Sequence, residues 1–105
     1  MFCVIYRFTV REGRDAEFRE VWHGLTQLIH EHQGSLGSRL HTTETSNVYM
    51  AYAQWPSRDL WAAPPPLPEP GKALKDRLKA CTSGIEVLDE LEVADDLLEP
   101  ARPGK

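Results

Sequence analysis

The stretch from Asn47 to Trp61 gathers the residues best suited to hold a small molecule. It reads N-V-Y-M-A-Y-A-Q-W-P-S-R-D-L-W. Alternation across 48–55 sets Tyr49, Ala51, Ala53 and Trp55 on one side of a strand and Val48, Met50 and Tyr52 on the other. Ala51 and Ala53 are small residues between aromatics. They leave room above the sheet, either for the close approach of a helix or for a pocket walled by Tyr49 and Trp55.

Other chemistry-bearing residues form weaker patterns. His23 and His30 share one side of a helix, but two ligands without a third make a poor metal site, and no metal is expected. His30 and His32 lie near a helix end that favours a cation. His41 is a general-base candidate by type, yet its parity places it with Arg39 on the far face of its strand. Arg7 and Arg39 face acidic partners, Glu86, Asp89, Glu90 and Glu92, and read as rim salt bridges. Cys3 and Cys81 are far apart with no C-x-x-C, which reads as two reduced packing residues. No G-x-G-x-x-G or Walker-type loop supports nucleotide or flavin binding, and no Ser-His-Asp arrangement stands out.

Several elements must position these groups. Phe2, Val4, Tyr6, Phe8 and Val10 alternate with Cys3, Ile5, Arg7 and Thr9, giving a first strand apolar on most of both faces. Asp15 reads as the N-cap of a long amphipathic helix over 15–32, with Phe18, Val21, Trp22, Leu25, Leu28 and Ile29 on one stripe and Gly34 as its stop. Residues 35–44 alternate as a second strand, which Thr45-Ser46-Asn47 turns into the strand over 48–55. Ser57 caps a short helix to about Ala63. The proline-rich run 64–71 is an extended loop; its P-x-x-P spacing reads as loop rather than as a ligand motif. Residues 72–82 form a second main helix, stopped by Ser83-Gly84. Ile85, Val87, Leu91 and Val93 alternate with Glu86, Glu90 and Glu92 in a last strand.

The order is β-α-β-β-α-β, the α+β ferredoxin-like split: a four-stranded antiparallel sheet with its helices on one face. Residues 1–98 form this domain and 99–105 a flexible C-terminal tail. The other sheet face carries Cys3, Ile5, Val48, Met50 and Tyr52, an apolar patch too large for a monomer. Two sheets packed face to face would cover it, so a homodimer is expected.

Composition bounds the function. With 105 residues the chain makes one domain. Hydrophobic residues at 41% and charged residues at 27% are globular proportions. A net charge of −4 argues against a general nucleic-acid binder. No apolar run approaches the ~20 residues that cross a bilayer, so no membrane partner is expected. The N-terminus lacks the marks of a signal peptide, and a cytoplasmic location is expected.

The strand ending Y-A-Q-W, its Ser-containing helix start and Trp61 six residues on together resemble the antibiotic biosynthesis monooxygenase family. So do the helix entry G-R-D-A-E-F and the closing E-V-A-D-D-L; the resemblance spans about residues 2–97. It implies a dimeric α+β barrel and, in some members, oxygenation of phenols or quinols with no metal, flavin or haem. An electron-rich phenol or anthrone that loses a proton can reduce O₂ itself, so the protein need only hold it, favour the anion and exclude water.

The resemblance carries over residue by residue. Trp55 matches the family's pocket tryptophan. Lys75 or Arg77 matches the helix arginine that would stabilise charge. Ala51 stands where anthrone oxygenases have a substrate-binding asparagine, and Trp61 where they have a tyrosine, so an amide and a hydroxyl are missing. The haem-degrading branch is not implied, since its strand asparagine is Tyr6 here and the second main helix has no histidine. The expected site therefore sets Trp55, Arg77 and Lys75 as catalytic and Tyr6, Trp22, Tyr49, Ala51 and Trp61 as substrate-binding, with no cofactor. The alternatives are a non-catalytic dimeric barrel that binds a small aromatic ligand, and a barrel of the same fold doing isomerase or decarboxylase chemistry.

Overall fold

The computed structural model describes residues 1–99. The tail expected over 99–105 lies, beyond Glu99, outside the described residues. The elements run β1 (Phe2–Val10), α1 (Asp15–Gln33), β2 (Gly37–Thr42), β3 (Val48–Trp55), α2 (Arg58–Ala62), α3 (Gly71–Cys81) and β4 (Thr82–Glu92). The four strands make one antiparallel sheet in the order β2-β3-β1-β4. This is the ferredoxin-like arrangement.

Register bears out the parity of the two central strands. Phe2 pairs with Trp55, Val4 with Ala53, Tyr6 with Ala51 and Phe8 with Tyr49. Directly opposed residues share a face, so these eight side chains form one surface, and α1 packs on it. Phe18, Val21 and Leu25 of α1 are buried with Phe8, Val10, Tyr49 and Ala51 in the main core. Leu78 and Cys81 of α3 close it. A second cluster, Phe2, Val4, Ala53 and Trp55, sits beneath Leu60 and Trp61 of α2.

Three boundaries differ from the reading of the sequence. Arg14, not Asp15, precedes the first turn of α1, and no side chain caps that end. Asp15 is inside the helix, where its carboxylate accepts a bond from Tyr49 at 2.7 Å. The tertiary partner outcompetes the local cap. β2 starts at Gly37 because Ser35 is spent on a corner, its hydroxyl accepting from the Gly37 N–H at 3.0 Å.

Ser83 and Gly84 do not stop α3 in a turn: the chain passes from Cys81 into β4 at Thr82, with both inside the strand. The Thr82 hydroxyl closes the helix end by donating to the Leu78 carbonyl at 2.9 Å. β4 also carries a bulge. Ile5 pairs with Asp89 but Tyr6 with Val87, leaving Leu88 as the extra residue. The bulge reverses the alternation: Ile85 and Val87 share the helix face with Phe8 and Tyr6, whereas Leu91 lies opposite Cys3 on the other face.

That other face is partly covered. Cys3 is buried and lies 3.1 Å from the Tyr52 hydroxyl, in a hollow bounded by residues 91–98. Ile5, Val48, Met50 and Tyr52 remain half-exposed, and Leu91, Leu97 and Leu98 are exposed. Arg7 finds its acidic partner within the chain, holding Glu86 by two hydrogen bonds of 3.1 and 3.0 Å.

Candidate functional site

A cavity of about 190 Å³ lies between the helix face of the sheet and the helices. β1 contributes Tyr6 and Phe8, β3 Ala53 and Trp55, and β4 Ile85. α1 contributes Trp22, Leu25, Thr26 and Ile29, and α3 Leu78. Ser35 and Ser38 complete the wall. The helical spacing of Trp22, Leu25, Thr26 and Ile29 turns them to one side. Ala53, lacking bulk where Trp55 and Tyr6 have it, leaves the space open.

The wall is apolar with four hydroxyls. Ser38 donates to the Tyr52 carbonyl at 3.0 Å and Ser35 to the Gln54 carbonyl at 3.4 Å. Thr26 lies in the middle of α1. Tyr6, the one titratable side chain among the described lining residues, accepts a bond from Trp61 Nε1 at 2.7 Å. Burial raises its pKa, the Trp61 bond opposes this, and nearby Glu90 adds to the rise. The phenol therefore stays neutral through the physiological range. Glu90 itself is held by Arg58 at 3.0 Å.

A second hollow, about 350 Å³, opens between α1 and β2 and shares Trp22 and Ser38 with the first. Arg19, His23, Leu40 and Tyr49 also line it.

The structure brings together part of the site expected from sequence. Tyr6, Trp22 and Trp55 face one cavity, and Trp61 is bonded to Tyr6 behind its wall. Tyr49 faces the second hollow and is tied to Asp15. Ala51, 2% exposed, is packed into the core with Phe8, Phe18 and Tyr49 and lines neither space.

Arg77 and Lys75 stand apart. Arg77 projects toward α1 and meets Glu17 at 3.6 Å, beside the Arg14–Glu17 pair, and Lys75 is exposed. Arg14, with help from Arg77, holds the Glu17 carboxyl below its usual range. The two cations lie off the cavity wall because the buried stripe of α3 is Leu74, Leu78 and Cys81, which leaves 75 and 77 outside.

His41 pairs with Met50 on the far face, its Nδ1 donating to the Met50 carbonyl at 3.1 Å. His30 Nδ1 donates to the Ser35 carbonyl at 2.6 Å, stitching the end of α1 to the β2 corner. Among the described residues, no three His, Cys, Asp or Glu side chains converge as metal ligands. Sequence reasoning did not pick out Thr26, Ser38 or Ile85. The parity of Ser38 with Leu40 could have found the second; the bulge hid the third.

Among the described residues, no helix is long and apolar enough to cross a membrane. No curated protein matches the chain. Solved structures with the same fold include the SnoaB cofactor-independent oxygenase of Streptomyces nogalater, 22% identical over 93% of this chain and 97% of that one, with a TM-score of 0.73. A proposed antibiotic biosynthesis monooxygenase of Caulobacter crescentus CB15 is 20% identical over 90% of each chain, TM-score 0.74. Rv0793 of Mycobacterium tuberculosis is 13% identical over 92% of this chain and 98% of that one, TM-score 0.70. At these identities the likeness is one of fold. The family model for antibiotic biosynthesis monooxygenase matches residues 1–63, which reach from β1 through α2 and carry the Tyr6, Trp22, Trp55 and Trp61 positions; the chain belongs to that family.

Proposed function

We propose that this protein is a homodimeric monooxygenase of a small aromatic phenol, quinol or anthrone, working without metal, flavin or haem. The cavity walled by Tyr6, Trp22 and Trp55 carries this reading: its lining is mostly apolar and aromatic, and it lies between the sheet and the helices. A CH₂ flanked by aromatic rings, or a phenol, loses its proton and the anion passes electrons to O₂. One oxygen atom enters the product as a C=O and the other leaves as water, so CH₂ plus O₂ gives C=O plus H₂O. The dry wall strengthens any hydrogen bond to the anion. Family membership and the likeness in fold to SnoaB support the class of chemistry. The half-exposed apolar sheet face supports the dimer.

Oxygen uptake with an anthrone and a chelator, and no added cofactor, tests the activity. Uptake proportional to protein is the expected result. A second reading has one observation in its favour: no charged side chain lines the cavity among the described residues. Tight aromatic binding with no uptake would make the protein a non-catalytic ligand-binding barrel. Quenching of tryptophan fluorescence by the ligand should weaken in Trp55→Phe. Unchanged quenching in Trp55→Phe, Trp22→Phe and Trp61→Phe would place the ligand elsewhere.

A further inference from the structure

The bond between Trp61 and Tyr6 has a direction. An indole N–H can only donate, so the Tyr6 oxygen is the acceptor at 2.7 Å. That leaves the tyrosine's own hydrogen to be donated elsewhere, and no described residue receives it. The same hydroxyl-bearing side chain forms part of the cavity wall. Ser35 and Ser38, the other wall hydroxyls outside the helices, already donate to main-chain carbonyls. Thr26 can turn to carbonyls of its own helix. Tyr6 sits on a strand and has no such outlet.

We propose that the Tyr6 hydroxyl is the donor that selects cavity ligands bearing an acceptor oxygen, a ketone or phenolate, and that Trp61 is its positioning residue. This rests on the reading of the cavity as the ligand site. Trp61 is itself held in place. Its ring packs on Phe2 at 5.5 Å between centroids. It lies on α2, which is capped by the Ser57 hydroxyl accepting from the Leu60 N–H at 3.2 Å and tied to β4 by Arg58 and Glu90. A donor fixed by the fold costs nothing further to orient when a ligand arrives. Burial keeps the phenol protonated, so the donor is present across neutral pH. Aimed at an enolate or phenolate oxygen, it would favour the anion over its neutral parent.

The test compares 9-fluorenone with fluorene, two flat probes that differ by one carbonyl oxygen. Their binding to the wild type, Tyr6→Phe and Trp61→Phe is followed by tryptophan fluorescence, and the bound fluorenone carbonyl stretch by infrared difference spectroscopy. In Tyr6→Phe, fluorenone should bind about fivefold more weakly, the scale of one neutral hydrogen bond, with fluorene unchanged. Its carbonyl band should move to higher wavenumber. In Trp61→Phe the band should broaden and fall between the two. Equal changes for both probes, or a carbonyl band identical in wild type and Tyr6→Phe, would overturn the donor role while leaving the cavity as a ligand site. A Trp61→Phe band identical to the wild type would overturn the positioning role. Failure of the wild type to bind either probe would overturn the cavity reading and this inference together.

Discussion

The hydroxyl of Tyr49, near the start of the inner strand β3, donates to the Asp15 carboxylate in the first turn of α1 at 2.7 Å. It ties the strand that supplies Trp55 to the helix that supplies Trp22, alongside the core packing between them. The Tyr49 ring packs on Phe18 at 5.0 Å, which holds it against the helix. Tyr49→Phe keeps the ring and leaves a carboxylate without its donor. A hydrogen bond to a charged group puts the loss at about 1.5 kcal/mol. Urea denaturation should show a lower midpoint with an unchanged slope. A midpoint equal to that of the wild type would mean that water serves Asp15 equally well.

The three tyrosines give an alkaline prediction. Burial is the main cause for Tyr6, the bond to Asp15 for Tyr49, and the bond to Cys3 for Tyr52; all three are raised. In the unfolded chain they titrate near the ordinary value of ~10. Between that value and the higher folded one, the folded state holds more protons than the unfolded state. Stability is therefore full below about pH 10 and falls as pH rises through the folded values. Phenolate absorbance of the native protein should develop late. Half-development at or below pH 10 would contradict the burial and bonding described.

Gly34 ends α1 with φ +83°, and a Cβ there would lie 2.8 Å from Leu60 Cδ2. The backbone conformation demands glycine, and an added Cβ would also have to push aside the end of the Leu60 side chain. Gly34→Ala should cost about 1–2 kcal/mol from the left-handed backbone alone. The contact adds a push on α2, whose Leu60 adjoins Trp61. Thermal melts read the first effect. The quenching response of the cavity to a bound aromatic reads the second, and a variant as stable as the wild type would show that the turn can flip to another conformation.

How much of this was legible in the sequence follows from the range of each signal. The faces of β1 and β3 could be read because their alternation is unbroken and each is covered on the helix side by aromatics. The end of α1 could be read from Gly34. The phase of β4 could not: the bulge at Leu88 is a property of pairing with β1, and nothing local marks it. Gly84 looked like a stop because glycine commonly is one, yet its place is opposite Thr9 in the sheet. The cavity lining was legible where it depends on strand parity, as for Tyr6 and Trp55. It failed where it depends on the rotation of α3, which three apolar residues determine and which turned Arg77 toward Glu17. The Trp61–Tyr6 bond joins two residues singled out separately, and only tertiary structure shows that one serves the other.

The sheet face opposite the helices makes the last prediction. Arg7 and Glu86 grip each other there, with Met50 opposite Arg7 and Ile5 and Val48 half-exposed nearby. The guanidinium holds the Glu86 carboxyl below its ordinary range. The pair's contribution is present at neutral pH and is lost as pH falls through that lowered value. If a second copy covers this face, sedimentation at neutral pH should give twice the 11.9 kDa chain mass. Met50→Lys would set a second cation against Arg7 and should weaken the dimer by at least about tenfold, with secondary structure retained by circular dichroism. Acid should act in the same direction, because protonating Glu86 leaves Arg7 unpaired at the contact. A wild type that sediments as a single 11.9 kDa chain at micromolar concentration would remove the dimer. The apolar sheet surface would then need another cover, and residues 91–98 already border a hollow with Cys3 and Tyr52 there.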